Sequence, residues 1–328
     1  MVRKIDLGCP VTPLEKLNSL SKYLGPQIYF KRDDLTGLGL GGNKVRKLEY
    51  LFWEASQLGT NVIISTASIQ SNFLRILTAA CKKMGWRCRL LVRGKRDTKL
   101  NGNYLIYKIM GAEIEYLDTA DPFSRETLDL MEECRHEEIK KGNCPYLIHL
   151  GTYSAPLAIL GYVDAFKEIL TQAPNFFDHI FLAIGSGDTY AGLKIGMNIN
   201  GIDTKIHSIS VNLSKELLKK HVVEGIKGAL KLLQQPFEGK FISDFLIDDS
   251  YIGSGGYEVP TVESLKAVKV VAETEGIILD PIYTGKAFAG LVDYIRKGLV
   301  KKEEKVLFLH TGGIPNIFFH ADAFNQIL

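Results

Sequence analysis

From about residue 60 onward, apolar runs of strand length alternate with longer segments of helical period. Parallel strands need a crossover of a dozen or more residues, usually a helix, so this alternation predicts an α/β fold with parallel sheet covered by helices. Strands are expected at Asn61 to Ser65, Arg87 to Arg93, Glu113 to Leu117, Tyr146 to Leu150, His179 to Ile184, Lys205 to Val211 and Val306 to His310. Open sheets of this kind gather ligands outside the carboxyl ends of their strands. Three loops there stand out: Thr66 to Asn72, Gly185 to Thr189 and Thr311 to Pro315. The glycine-rich stretch Ser250 to Pro260 reads first as a surface loop and second as a lid.

Composition removes several classes of function. With 46% hydrophobic and 23% charged residues, the 328-residue chain is globular and long enough for two compact units. Its 40 Lys and Arg against 37 Asp and Glu leave a formal charge of +3, too little to attract nucleic acid in general. The short basic stretches, Lys82-Lys83 and Lys301 to Lys305, read as solvated faces. Five cysteines, an odd number without a C-x-x-C pair, suggest neither a disulfide framework nor a zinc site and fit a reducing cytoplasm. No run approaches the ~18 apolar residues of a membrane span, and Met1 to Leu7 lacks a signal-peptide core, so a cytoplasmic protein without a membrane partner is expected.

Two elements carry chemistry. In the first, four glycines fall within positions 37 to 42, just before a helix marked by Val45, Leu48, Phe52 and Ala55, with Asn43 as its expected cap. Lys44 then sits on the first helical turn, where the macrodipole disfavours a cation. It is either an ordinary exposed lysine or an amine with a lowered pKa, able to attack an aldehyde. The second element, Gly185-Ser-Gly-Asp-Thr-Tyr-Ala-Gly, leaves a strand and enters a helix, so its N–H groups can hold a phosphate. It ends without the Lys-Ser/Thr of a Walker loop and has Tyr190 where a dinucleotide loop has its third glycine. A reactive lysine with a cup for one phosphate suggests pyridoxal phosphate.

The run Tyr29-Phe-Lys-Arg-Asp-Asp-Leu-Thr-Gly through Gly41-Gly-Asn-Lys44-Val-Arg-Lys-Leu-Glu resembles the cofactor-lysine segment of D-cysteine desulfhydrase and 1-aminocyclopropane-1-carboxylate deaminase. The likeness continues through Ser68-Ile-Gln-Ser-Asn72, the Gly185 turn, Glu275-Gly-Ile-Ile-Leu-Asp-Pro-Ile-Tyr-Thr-Gly-Lys-Ala and His310-Thr-Gly-Gly-Ile-Pro. It implies the tryptophan synthase β-like fold of fold type II pyridoxal phosphate enzymes, two open parallel-sheet domains with the cofactor in the cleft. Residues 1–48 and 164–328 would form the larger, cofactor-binding domain and residues 49–163 the smaller, in a homodimer acting on a small amino acid.

Carried over by position, the resemblance implies that Lys44 forms the Schiff base and later moves the substrate's Cα proton. Ser71 would stand beside the substrate, Asn72 would hydrogen-bond the ring's phenolic oxygen, and the turn of Gly185, Gly187, Asp188 and Thr189 would hold the phosphate. Tyr283 would lie against ring or substrate, and Thr311 would face the pyridine nitrogen. A hydroxyl there stabilises ring protonation less than a carboxylate does, which suits prompt loss of a β-substituent.

Three positions depart from the family pattern: Phe73 replaces a histidine, Asp188 a glycine and Thr152 a second glycine. A carboxylate about 5 Å from a phosphate charge would cost roughly 3 kcal/mol, so either the Asp188 side chain points away or the cup is altered. The deaminase branch typically has Tyr-Glu-Gly-Lys where this chain has Tyr283-Thr-Gly-Lys286, which favours α,β-elimination of D-cysteine to pyruvate, sulfide and ammonia. Cyclopropane ring opening and β-replacement share the same start. A weakly active or non-catalytic cofactor-binding homologue is the reading of another class.

Overall fold

The computed structural model describes residues 2–118, 124–150, 153–174 and 176–328. In chain order the elements are β1 (Leu14–Lys16), α1 (Asn18–Leu24), β2 (Gln27–Lys31), α2 (Lys44–Gln57), β3 (Val62–Ser68), α3 (Asn72–Met84), β4 (Arg87–Arg93), α4 (Gly102–Ile109), β5 (Glu113–Leu117) and α5 (Arg125–Lys140). They continue with β6 (Pro145–Ile148), α6 (Ala155–Gln172), β7 (His179–Ile184), α7 (Asp188–Ile199), β8 (Lys205–Ser210), α8 (Lys215–Leu232), β9 (Leu246–Asp248), α9 (Val262–Glu275), α10 (Thr284–Arg296), β10 (Lys305–Leu309) and α11 (Pro315–Phe319).

These strands build two sheets, one of six in the order β1-β2-β10-β7-β8-β9 and one of four in the order β5-β4-β3-β6. Every pairing is parallel except β1 with β2, where Leu14 faces Lys31. The alternation of strand and helix is thus realised as an α/β fold, with an antiparallel edge strand that its pattern did not announce.

Strand positions match the expectation closely at β4, β5 and β7, and β8 and β10 are each offset by a residue. Three strands were not foreseen: β1, β2 and β9. β2 reads Gln-Ile-Tyr-Phe-Lys, and its final lysine is fully buried. Lys31 Nζ reaches Glu168 at 2.5 Å and the Thr12 carbonyl at 2.6 Å, so a charge that argues against a core strand is neutralised by α6, 137 residues away. β3 also runs three residues beyond its expected end, so Thr66 and Ser68 belong to a strand rather than to the anticipated loop. The longer ladder follows from pairing with β4 out to Ser68–Arg93.

Each sheet has its own core. Ile180, Leu182 and Ile184 of β7 pack with Tyr162, Leu193 and Ile226. Leu48, Phe52, Ile63, Leu77 and Leu90 fill the space around the four-stranded sheet. All five cysteines are free thiols, as their spacing implies. No described helix is long and apolar enough to cross a membrane.

Candidate active site

One cavity of about 600 Å³ opens at the carboxyl ends of both sheets. Thr66 and Ala67 of β3, Arg93 of β4 and Ala183 and Ile184 of β7 line it. Of the residues singled out by sequence, Lys44, Ser71, Asn72, Gly185, Gly187, Thr189, Tyr283 and Thr311 all line the same space, although the chain separates them by up to 267 positions.

Lys44 is delivered by glycine. Gly41 and Gly42 have φ of 68° and 130°. A Cβ on Gly41 would lie 1.9 Å from the Asp34 carbonyl oxygen, so no side chain fits where the loop doubles back before α2. Asn43 does not cap the helix as its position suggested. Its backbone is already helical and its side chain makes no capping bond. Instead its Nδ2 donates to Thr189 Oγ1 at 3.1 Å, while its Oδ1 accepts from Lys44 Nζ at 3.1 Å. The amide that could have closed a local cap connects the amine to the glycine turn across the cavity.

Lys44 is half-buried and lines the cavity. Burial first, and then the neighbouring Lys47 ammonium, push its pKa down to about 7. About half of the amine is therefore unprotonated near neutral pH, against roughly one part in three thousand for an ordinary lysine.

At the far side of the cavity α7 starts from Gly187, whose φ of 99° places it in the left-handed region. A Cβ there would meet Val222 Cγ2 at 2.9 Å. The first N–H groups of a helix have no partner within it, and here Gly187 and Thr189, at the positive end of the dipole, line the cavity. Asp188 turns its carboxylate onto Lys47 at 3.3 Å, with both side chains 2% exposed, and also accepts from Ser186 Oγ at 2.9 Å. The anticipated clash of two anions is answered by a buried cation one turn along α2 from Lys44.

Ser71 precedes α3 and caps it, its Oγ accepting from the N–H of Phe73 at 3.1 Å and of Leu74 at 3.4 Å. With its lone pairs so used, the hydroxyl can still donate its proton into the cavity but is poorly placed to act as a base. Phe73 is buried, lines the cavity and packs into the core of the four-stranded sheet. Asn72 accepts at Oδ1 from Asn103 Nδ2 at 2.9 Å.

Tyr283 immediately precedes α10, its N–H donating to buried Asp280 Oδ2 at 3.0 Å. Its hydroxyl is hydrogen-bonded to that of Tyr257, which also lines the cavity. Burial raises both phenols, Tyr257 to about 12 and Tyr283 well above its ordinary value, so both stay protonated at neutral pH. Thr311, just past β10, accepts from the Asn43 N–H through its carbonyl at 3.0 Å.

Sequence reasoning missed Tyr257, Lys47, His149, Asn212 and His221, all of which line the cavity. Lys47 carried a signal, since a second lysine one turn after Lys44 is a costly repetition unless a counter-charge is near. His149 sits just past β6, at a strand end where ligands gather. Tyr257 belongs to the segment read first as a surface loop. That segment is tied down by the Lys286 Nζ, which donates to the carbonyls of Ile252 at 2.7 Å and Gly256 at 3.2 Å. Thr152 lies outside the described residues.

The cavity thus holds an amine with a near-neutral pKa, joined by one amide to the start of a helix. Among known proteins, residues 5–312 match the family described as pyridoxal-phosphate dependent enzyme, and the chain belongs to it. It is 43% identical to a Pyrococcus horikoshii protein provisionally named 1-aminocyclopropane-1-carboxylate deaminase, over 97% of this chain and 94% of that one. It is 33% identical to the D-cysteine desulfhydrase of Serratia proteamaculans, over 96% and 95% of the two chains. The crystal structure of a 1-aminocyclopropane-1-carboxylate deaminase homologue superposes with a TM-score of 0.90 at 41% identity, covering 99% of this chain and 96% of that one. The protein is thus a pyridoxal phosphate-dependent lyase of the group that holds these deaminases and desulfhydrases.

Proposed function

We propose that the protein removes a β-substituent from a small amino acid, with D-cysteine as the first substrate: D-cysteine and water give pyruvate, hydrogen sulfide and ammonia. The observation that carries this reading is the Lys44–Asn43–Thr189 connection, which joins an amine with a pKa of about 7 to the glycine turn at the start of α7. The residues fit pyridoxal phosphate. Lys44 would hold its aldehyde carbon, the turn from Gly185 to Thr189 its phosphate, Asn72 its phenolic oxygen and Thr311 its ring nitrogen. Bound there, the cofactor supplies a sink for the electron pair left when a proton leaves the substrate's Cα.

Lys44 Nζ then takes that proton, because an amine with a pKa of about 7 is matched to proton transfer at neutral pH. Ser71 donates its hydroxyl proton to a substrate oxygen, and the Tyr257–Tyr283 pair offers a proton where the leaving group departs. Arg93, His149 and His221 add cationic or titratable groups to the cavity wall and suit an anionic carboxylate.

Position 284 supports elimination over ring opening. Thr284 is fully buried, and its hydroxyl is bonded to Asp280 Oδ1 at 2.8 Å, so no carboxylate from this position reaches the cavity. Ring opening is the second reading, favoured by the name of the P. horikoshii relative. The proposal retains residues 1–48 with 164–328 and residues 49–163 as two units of a cytoplasmic homodimer. Incubating the holoprotein with D-cysteine, L-cysteine and 1-aminocyclopropane-1-carboxylate, and measuring sulfide and keto acid separately, decides between them. Sulfide with pyruvate from D-cysteine is expected; keto acid from the cyclopropane substrate alone would overturn the elimination reading.

A further inference from the structure

Arg75 is a fully buried cation whose guanidinium meets no carboxylate among the described residues. Its Nε donates to Asn103 Oδ1 at 2.7 Å and its Nη2 to the Gly41 carbonyl at 3.1 Å. Burial without a counter-charge costs free energy, and here it drives the guanidinium down to about 10. A group retained at such cost calls for a function beyond packing.

The hydrogen-bond directions supply one. Arginine can only donate, so the Asn103 atom facing it must be the carbonyl oxygen, and the other end of that amide must be NH₂. Asn103 Nδ2 lies 2.8 Å from the Gln70 carbonyl, 2.9 Å from Asn72 Oδ1 and 3.2 Å from Asn316 Oδ1, so its two protons are shared among three acceptors. The Asn72 atom so engaged must be its carbonyl oxygen. Asn72 therefore turns its own NH₂ toward the cavity it lines, where no described residue accepts from it.

The placement of Asn103 is itself built. Its N–H donates to Gln70 Oε1 at 3.0 Å, and the preceding Gly102 has a φ of 58°. A Cβ on Gly102 would lie 2.6 Å from the same Gln70 oxygen.

We propose that Asn103, oriented by Arg75, is a positioning residue that locks Asn72 as a hydrogen-bond donor toward a negatively charged oxygen in the cavity. This rests on the reading above, in which Asn72 faces the cofactor's phenolic oxygen. Without the relay the Asn72 amide is free to turn over and present a carbonyl to that anion.

Asn103→Asp tests the relay without stranding Arg75, which keeps an acceptor and gains an ion pair. The second carboxylate oxygen then faces three acceptors, and Asn72 relieves the repulsion by turning its NH₂ inward. The measured quantity is the affinity of the apoprotein for pyridoxal phosphate, with the visible absorption of the bound cofactor followed against pH. Losing a hydrogen bond to a charged group predicts roughly ten- to hundred-fold weaker binding and a displaced absorption transition. In Asn72→Ala a similar weakening is expected, and adding Asn103→Asp to it should cost nothing more, because the relay acts only through Asn72. Gly102→Ala, which moves Asn103 by another route, should weaken binding in the same direction.

The outcomes separate the two claims. If Asn72→Ala binds the cofactor as tightly as the unaltered protein, the placement of Asn72 against the cofactor fails. If Asn72→Ala weakens binding while folded Asn103→Asp does not, or if the two effects add, the relay fails and the placement stands. If Asn103→Asp does not fold, Gly102→Ala alone and combined with Asn72→Ala gives the same decision.

Discussion

Replacing Asp188 by asparagine isolates the charge that distinguishes the proposed phosphate cup. The Asp188–Lys47 separation of 3.3 Å corresponds to an attraction of about 5 kcal/mol at an effective dielectric near 20. Much of that is offset by the desolvation of two buried ions, but removing one partner leaves the other ammonium buried alone, at a cost of about 3–5 kcal/mol. Asparagine still accepts from Ser186 and offers Lys47 a carbonyl oxygen, so the lower end is expected for the apoprotein. With an unfolding entropy of about 2.1 cal/mol/K per residue, 3 kcal/mol corresponds to a drop in Tm of roughly 4 °C for this chain. A phosphate dianion in the cup gives Lys47 a new counter-charge, so pyridoxal phosphate should raise the Tm of the variant by more than it raises that of the unaltered protein. Thermal unfolding followed by circular dichroism, with and without cofactor, measures both shifts. An apoprotein variant as stable as the original, or a cofactor-induced gain no larger in the variant, refutes the argument that Lys47 is shared between Asp188 and the phosphate.

Other outcomes follow from the same geometry. The rate at which the apoprotein captures pyridoxal, which lacks the phosphate, should rise with pH to a midpoint near 7, and a midpoint above 9 would show an ordinary lysine. Because Lys44 is lowered in the fold from 10.5, the unfolded chain holds more protons between about pH 7 and 10.5, and apoprotein stability should climb across that window. In Lys44→Met that climb, read from urea titrations, should be diminished. Ser71→Ala should lose about 1 kcal/mol of stability from the cap of α3 and a larger share of kcat, whereas Ser71→Thr should keep most of the cap. Tyr257→Phe should lower kcat with cofactor affinity unchanged, since it removes the hydroxyl bonded to Tyr283; an unaltered kcat would mark Tyr257 as packing alone.

Lys44, the Gly185 turn and the alternation of strand and helix could be read in the chain because each depends on neighbours a few positions away. Glycines admit a turn, a helix start exposes N–H groups, and apolar period follows secondary structure. What those local rules could not reach is the pairing of distant charges and amides. Lys31 looks wrong for a core strand until Glu168 is beside it, and Asp188 looks wrong for a phosphate cup until Lys47 is. Asn43 looks like a cap until Thr189 competes for its amide, and Tyr257 looks like surface until Lys286 draws its loop over the cavity. In each case a polar group has two possible partners, one local and one remote. Only the packed chain, by excluding water and fixing distances, decides which partner is met.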